Sequence, residues 1–332
     1  GEMKRLQPVK AVVEAKWKRE LEWLLLPITQ IVVLEPAHQV LANGNRVSIM
    51  RGVLREDVRE HLPRLRQCDD GLVGIMARFC ASDIQLEWKN PAKSSDGGGG
   101  QWWKEVPVLS QPVESKMAAA LVECVSSVLG VLTLVRDINS DVIHRMEVSA
   151  SYGQQLPTDA TNILGKETAQ ILKKKEAMEC DAFFANLQVA DALQAQKMMS
   201  QLQDAALVWR RKHNESAQKD HSEHSNFGRF GSLIGIATKV GSQGVPNVAA
   251  LRGADNAHRI ALALRKRWPK APQTALEVSK INCNLDVGLA ALEALSRVLE
   301  GRAGTILAHL KMIVQVGAVS LPPSLALHPD LL

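Results

Sequence analysis

The segment Glu114–Met146 reads ESKMAAALVECVSSVLGVLTLVRDINSDVIHRM and carries the clearest periodic pattern in the chain. The apolar residues that define the pattern are spaced alternately by four and three positions: Leu121, Val125, Val128, Leu132 and Val135, a row that Asn139 continues. Spacings of three and four place side chains on one face of an α-helix. The segment therefore predicts one long helix with a buried face, around which a helical domain can assemble.

The composition agrees with a helical protein. The chain has 332 residues, is 46% hydrophobic and is only 4% aromatic, which is typical of an all-α core built on Leu, Ala and Val. The net charge of +5 is spread among acidic residues, and the basic runs are short. A nucleic-acid interface needs a denser basic stripe, so we expect no nucleic-acid partner.

Other short patterns exclude several classes of protein. The five cysteines are widely spaced without a CxxC pair, which favours free thiols in a reducing compartment and hence a cytoplasmic location. We find no signal peptide and no unbroken run of about 18 apolar residues. His221 and His224 lie in a polar segment that offers no third ligand, so we expect no metal site. Phosphate-binding and hydrolase motifs are missing, so we expect no cofactor and no enzyme.

Helical spacing recurs elsewhere, and it predicts which side chains face inward. An early helix carries Trp17 and Trp23, both expected in the core. Helices are also predicted at Lys166–Lys212 and Val248–Trp268, and after a cap at Asp286. The side chains expected to face inward are Trp17, Leu21, Leu24 and Ile28 in the first helix, Met198, Leu202, Ala205 and Trp209 in the second, and Val287, Ala291, Ala294, Val298 and Ile306 in the last.

Two β-hairpins are expected beside the helices. Asn43-Gly44 divides the apolar runs of Val40–Met50, which is a strong signal for a tight hairpin turn. Ile84–Lys89 and Gln101–Val108 can pair as a second ribbon, with residues 90–100 as its tip.

The second ribbon contains the most unusual residues of the chain. Gly97–Val108 reads GGGGQWWKEVPV, with Trp102 and Trp103 directly adjacent. Adjacent side chains point to opposite faces of a strand, so one flat core surface cannot bury both rings. The glycines can be a plain linker whose tryptophans return the chain to the core. Alternatively, the pair projects as a hot spot for a partner.

Several separated stretches together resemble one family. The stretches are Trp17–Leu25 (WKRELEWLL), Leu62–Asp69 (LPRLRQCD), Ser151-Tyr152, Val208–Lys212 (VWRRK), Pro272–Ile281 (PQTALEVSKI), Asp286–Gly288 and Ser296–Glu300. In this order and spacing they resemble the PRONE domain of the plant-specific Rho-of-plants (ROP) guanine nucleotide exchange factors.

The resemblance implies a fold, a function and partners. It implies an all-α, elongated multi-helix domain over residues 1–316 with one or two small β-hairpin arms and a missing upstream part. The polar composition of residues 213–245, where the chain diverges from the family, predicts a flexible insert, and residues 317–332 are expected to form a frayed C-terminal tail. The implied function is to accelerate GDP release from a plant Rho-family small GTPase by stabilising its nucleotide-free form. The alternative is a diverged homologue that binds the GTPase or a receptor-like kinase without catalysing exchange. A homodimer of the full-length protein and peripheral binding to the plasma membrane are further implications.

The resemblance also assigns roles to residues. Trp102 and Trp103 stand where the family has its WW loop, which is needed for exchange, and Gln101 and Lys104 would orient the pair. Four glycines precede the pair here, whereas the family usually has charged residues. Four polar residues of one block are expected to line the docking surface: Gln273, Thr274, Ser279 and Lys280. The same block can equally be a capped helix start after Pro272.

Overall fold

The computed structural model describes residues 5–80, 84–89, 106–110, 113–174, 180–185, 189–225, 248–326 and 328–330. Most of these residues are helical. The helices are α1 (Ala11–Gln30), α2 (Glu56–Arg59), α3 (Leu62–Ala77), α4 (Ser115–Arg145), α5 (Ala150–Gln155), α6 (Thr161–Leu164), α7 (Lys166–Lys174), α8 (Cys180–Ala185), α9 (Ala192–Ser225), α10 (Val248–Arg267), α11 (Ala275–Cys283), α12 (Val287–Val316) and α13 (Pro323–Ala326). The strands are β1 (Val32–Val40), β2 (Arg46–Leu54), β3 (Leu86–Lys89) and β4 (Val106–Leu109). The all-α class with small hairpins is confirmed.

The chain folds into two compact units. Unit 1 consists of residues 1–146 and 284–332, and unit 2 consists of residues 147–283. Each unit has its own buried core. Our boundary at residue 316, between domain and tail, remains a prediction.

The long central helix of unit 1 agrees with the expectation. α4 spans Ser115–Arg145, and its predicted apolar row is fully buried against α12 and α3. Asn139 extends the row by donating a 2.8 Å hydrogen bond to Ser296 Oγ of α12. Although no unbroken apolar run is present, α4 is long and apolar enough to cross a bilayer by length and composition. Its packing is that of a core helix, which passes the same test.

The last long helix begins as predicted but buries a different face. Asp286 accepts a 3.1 Å hydrogen bond from Leu289 N, as a helix N-cap does. Val287 and Val298 are exposed, so their inward orientation was wrong. The buried side chains of this stretch are Leu289, Leu292, Glu293, Ser296 and Leu299. Two polar residues interrupt the buried row, and this hid its phase from a purely hydrophobic pattern.

The first helix and the first hairpin expose much apolar surface. Leu25 and Ile28 are the buried side chains of α1, whereas Trp23 and Leu24 are each 64% exposed, so their predicted core positions were wrong. Trp17 is half-buried beneath the guanidinium of Arg302. β1 and β2 pair antiparallel around the predicted Asn43-Gly44 turn, in which Gly44 has φ of 81°. That positive φ explains the glycine.

Unit 2 is built on the pairing of α9 with α10. Their shared core contains the fully buried Trp209, Leu202 and Ala205, as predicted, but Met199 replaces Met198 as the fully buried methionine. α9 continues to Ser225, so residues 213–225 of the expected flexible insert are helical. Residues 226–245 of the insert lie outside the described residues.

The C-terminal segment of unit 1 is held in place rather than frayed. Asp330 is 5% exposed and accepts a 2.5 Å hydrogen bond from Arg136 Nη1 of α4. The same guanidinium donates to Glu300 of α12 through Nε, at 2.6 Å. Residues 328–330 therefore belong to the packed body of unit 1.

Candidate functional site

The second hairpin fixes where the tryptophan-containing segment leaves and re-enters unit 1. β3 pairs antiparallel with β4, and Lys89 lies directly opposite Val106. The pairing confirms the predicted second ribbon, and residues 90–105 connect its two strands at that end. Trp102 and Trp103, with Gln101 and Lys104, belong to this connection and lie outside the described residues.

An aromatic contact ties the ribbon to the body of unit 1. The Trp88 ring of β3 meets the His309 ring of α12 edge-on, with centroids 5.1 Å apart and planes at 85°. This T-shaped arrangement is one that aromatic pairs favour. The guanidinium of Arg5 lies 5.8 Å from the Trp88 centroid, within the range of a cation–π contact. Trp88 therefore holds the base of the connection against α12.

Burial keeps the imidazole of His309 uncharged in this contact. Burial lowers the pKa of His309 below its usual range. His309 consequently stays uncharged near neutral pH, and Arg5 does not meet a second cation across the indole.

The other end of β4 contacts the end of α12 through side chains. A Cβ at Gly317 would lie 2.9 Å from Leu109 Cδ1 and 2.9 Å from Val113 Cγ2. A larger residue at position 317 would therefore require these two side chains to move. Trp88 and the contact at Gly317 place both ends of the ribbon against α12.

The block at 273–280 forms the capped helix start that we considered as the alternative. Thr274 Oγ1 accepts a 3.2 Å hydrogen bond from Glu277 N, and Glu277 Oε2 accepts a 3.0 Å bond from Thr274 N. This reciprocal pair is a capping box at the start of α11. Gln273 contributes its carbonyl oxygen, which accepts from Gln196 Nε2 at 2.6 Å. Thr274 is fully buried.

The remaining members of the block also face inward or lie half-buried. Lys280 is 8% exposed, and burial together with Arg210 lowers its pKa to about 8. Ser279 is half-buried, with its Oγ 3.2 Å from Ser149 Oγ. Thr274 and Lys280 are thus parts of the interior of unit 2. Their proposed contact with a partner would require this region to open.

The quoted motif stretches of unit 2 contact one another around α9. Tyr152, the single tyrosine of the chain, donates to Asp204 Oδ1 at 2.8 Å. Burial raises the pKa of both groups. Arg211 of the VWRRK stretch donates to the carbonyl oxygens of Gly153 and Pro157 at 3.0 and 3.2 Å. These stretches therefore pack together as the framework of unit 2.

Sequence reasoning missed an apolar surface in unit 1. Side chains at the C-terminal half of α1 and along the first hairpin are large, apolar and exposed: Trp23, Leu24, Leu26, Val32, Leu34, Val40 and Met50. Exposed apolar groups of this size commonly mark interaction surfaces. The adjacent Trp23-Leu24 pair was visible in the sequence, but we assigned the tryptophan to the core.

Comparisons with known proteins agree with the resemblance. The chain matches the PRONE family, described as Plant-specific Rop nucleotide exchanger, over residues 1–321. Rop guanine nucleotide exchange factor 11 of Arabidopsis thaliana is 25% identical over 98% of this chain and 56% of its own length. Rop guanine nucleotide exchange factor 10 of the same plant is 28% identical over 95% of this chain and 62% of its own length.

The alignments cover nearly all of this chain but little more than half of the relatives' own length. Rop guanine nucleotide exchange factor 6 of Arabidopsis thaliana is 28% identical over 96% of this chain but 56% of its own length. The chain thus spans less than two thirds of the length of these relatives. Because the family match covers nearly all of its residues, the chain belongs to the PRONE family of plant-specific Rop nucleotide exchangers.

Proposed function

We propose that this chain is a guanine nucleotide exchange factor for a plant Rho-family small GTPase. One observation carries the proposal: in a member of the PRONE family, an anchored ribbon brackets the segment that contains Trp102 and Trp103. The named relatives are Rop guanine nucleotide exchange factors, which supports the same class of partner.

The mechanism needs no covalent step. An exchange factor binds the nucleotide-free GTPase more tightly than the loaded GTPase, and this differential affinity weakens nucleotide binding by linkage. A factor that bound both states equally would shift nothing. The GTPase holds its nucleotide through phosphate and magnesium contacts, so the factor must displace the segments that make them.

Trp102 and Trp103 are suited to that displacement. Each indole is large and rigid, and loses little conformational entropy when it is buried in a partner. Trp103 lies three residues before Val106, so its Cα stays within about 11 Å of the anchored strand. Gln101 and Lys104 flank the pair and would orient it. The anchored ribbon restricts the positions that the two indoles can adopt before they bind. This restriction lowers the entropic cost of binding the GTPase.

An exchange assay tests the proposal. Purified chain is added to a ROP GTPase loaded with a fluorescent GDP analogue, and release is followed in excess GTP. We expect release to accelerate with increasing concentration of the chain. Co-purification of the nucleotide-free GTPase without any acceleration would instead establish the non-catalytic interaction module.

The proposal extends to a second copy of the chain, a receptor-like kinase and the plasma membrane. A homodimer of the full-length protein is favoured by the exposed apolar surface of α1 and the first hairpin. A receptor-like kinase partner rests on the family resemblance alone. Peripheral association with the plasma membrane is supported by the charge of unit 2, which has 18 Lys and Arg against 13 Asp and Glu, whereas unit 1 has 22 of each.

A further inference from the structure

A buried histidine in unit 1 lacks the partners that its position requires. His61, at the start of α3, is 2% exposed, and neither of its ring nitrogens forms a hydrogen bond within the described part of the chain. A buried polar group without a partner has lost its hydrogen bonds to water and gained none in the folded protein. Such groups are uncommon in folded proteins, and where they occur they often bind an ordered water molecule or an ion.

Two carboxylates lie beside the same ring nitrogen. His61 Nε2 is 3.1 Å from Asp141 Oδ2 of α4 and 3.7 Å from Glu60 Oε1. One ligand atom from each of the three residues lies within 4.8 Å of the others. Ligand atoms around a tetrahedral zinc ion with bonds of about 2.0–2.2 Å lie about 3.3–3.6 Å apart. Small side-chain movements would therefore bring all three atoms to bonding distance.

We propose that Glu60, His61 and Asp141 form a binding site for a divalent transition metal ion of the zinc class. One imidazole and two carboxylates suit zinc better than calcium or magnesium, which prefer sites made only of oxygen atoms. The ion would cross-link the start of α3 to the C-terminal end of α4, with water completing its coordination. The site would be structural and independent of nucleotide exchange.

Arg145 competes with the metal for the carboxylates. Its Nη2 donates to Glu60 Oε1 at 2.5 Å and to Asp141 Oδ2 at 2.8 Å. Its Nη1 donates to the carbonyl oxygen of Asp57 at 2.8 Å. The side chain is 31% exposed, so the guanidinium can withdraw toward solvent while a dication takes its place. The competition makes a specific prediction, because removal of Arg145 should tighten metal binding.

Sequence spacing does not reveal this cluster. Glu60 and His61 are adjacent, and Asp141 follows 80 positions later on another helix. The sequence instead offers the His221/His224 pair, whose close spacing is a local pattern for metal binding.

Calorimetric titration of the chelator-treated protein with Zn²⁺ tests the site. The wild-type chain should bind one ion that His61→Asn and Asp141→Asn each lose. Arg145→Met should bind it about tenfold more tightly, because a like charge is removed. His38→Gln is the matched control, since His38 is an exposed histidine on β1 and its removal should leave binding unchanged.

Absorption spectroscopy with Co²⁺ tests the same site without the His61→Asn variant, should that variant not fold. Co²⁺ bound by the wild-type chain should show visible absorption bands without the near-ultraviolet band of a thiolate ligand, and the bands should be absent in Asp141→Asn. Equal Zn²⁺ binding by wild type and Asp141→Asn would overturn the assignment. So would weaker binding by Arg145→Met, or no bound ion in the wild type.

Discussion

The hydroxyl group of Thr274 makes two hydrogen bonds at the start of α11. It donates to Gln203 Oε1 at 2.5 Å and accepts from Glu277 N at 3.2 Å. Glu277 Oε2 also accepts a 2.7 Å hydrogen bond from Arg265 Nη2, so the cap is part of a partly buried polar cluster. The T-x-x-E spacing was readable in the sequence, and it favoured a helix start as much as a docking surface. The spacing does not show that Thr274 is fully buried in the folded chain.

Thr274→Ala should destabilise the chain by about 1–2 kcal/mol, because the cap and a partner for buried Gln203 are lost together. Thr274→Ser retains the hydroxyl and should recover most of that loss. Urea unfolding followed by circular dichroism measures both. An alanine variant with wild-type stability but reduced affinity for the GTPase would contradict the structural role and support the docking role.

Lys280 gives a prediction with a defined pH window. Its pKa in the folded protein is lowered from 10.5 to about 8, mainly by burial. Between these two pH values the unfolded chain holds the proton that the folded chain has lost, so stability should rise with pH. Below about pH 8 the lysine is charged in both states, and the cost of burying that charge is present in full.

The comparison variant is Lys280→Met. The unfolding free energy of the wild type, minus that of the variant, should rise from pH 8 to pH 10.5 and be flat below pH 7. Denaturation measured at several pH values provides the curve. A difference that stays constant over the whole range would show that the lysine is not desolvated.

Among the elements, the β3–β4 ribbon connects the fold most directly to the proposed function. The side chain of Trp88 packs on His309, and Lys89 pairs with Val106 where the connection begins and ends. The ribbon is short, and an isolated two-stranded hairpin is at best marginally stable in water. Its position therefore depends on the contacts with α12.

Trp88→Ala should reduce the acceleration of nucleotide release by at least about tenfold, because the tryptophan pair loses its fixed base. Helical content should not change, since Trp88 lies outside the helices. Glu87→Ala is the matched control, as Glu87 is the exposed neighbour on the same strand. Wild-type exchange by Trp88→Ala would show that the anchor is dispensable.

The elements also show what could be predicted from sequence and what could not. α4 was predictable because its buried row is uninterrupted from Leu121 to Val135, and the hairpin around Gly44 because its turn requires a positive φ. The phase of α12 was not predictable from hydrophobicity, because Glu293 and Ser296 occupy buried positions. The zinc-class cluster depends on tertiary contacts, which spacing along the chain does not encode.

At the scale of the whole molecule, the two compact units divide the sequence motifs between them. The tryptophan pair belongs by sequence to unit 1, whereas the stretches Val208–Lys212 and Pro272–Ile281 belong to unit 2, where some of their side chains are buried: Val208, Trp209, Thr274, Leu276 and Lys280. The docking role of Gln273, Thr274, Ser279 and Lys280 stays a prediction. The proposed exchange activity is argued from the indoles of unit 1.

The role of the indoles is tested most directly by the rate of GDP release from a ROP GTPase in the presence of Trp102→Ala/Trp103→Ala. We expect the double variant to keep wild-type helical content but no longer to accelerate release. The Glu87→Ala variant, which changes an exposed residue of the same ribbon, should retain acceleration. Release by the double variant at the wild-type rate would show that the indoles do not drive exchange.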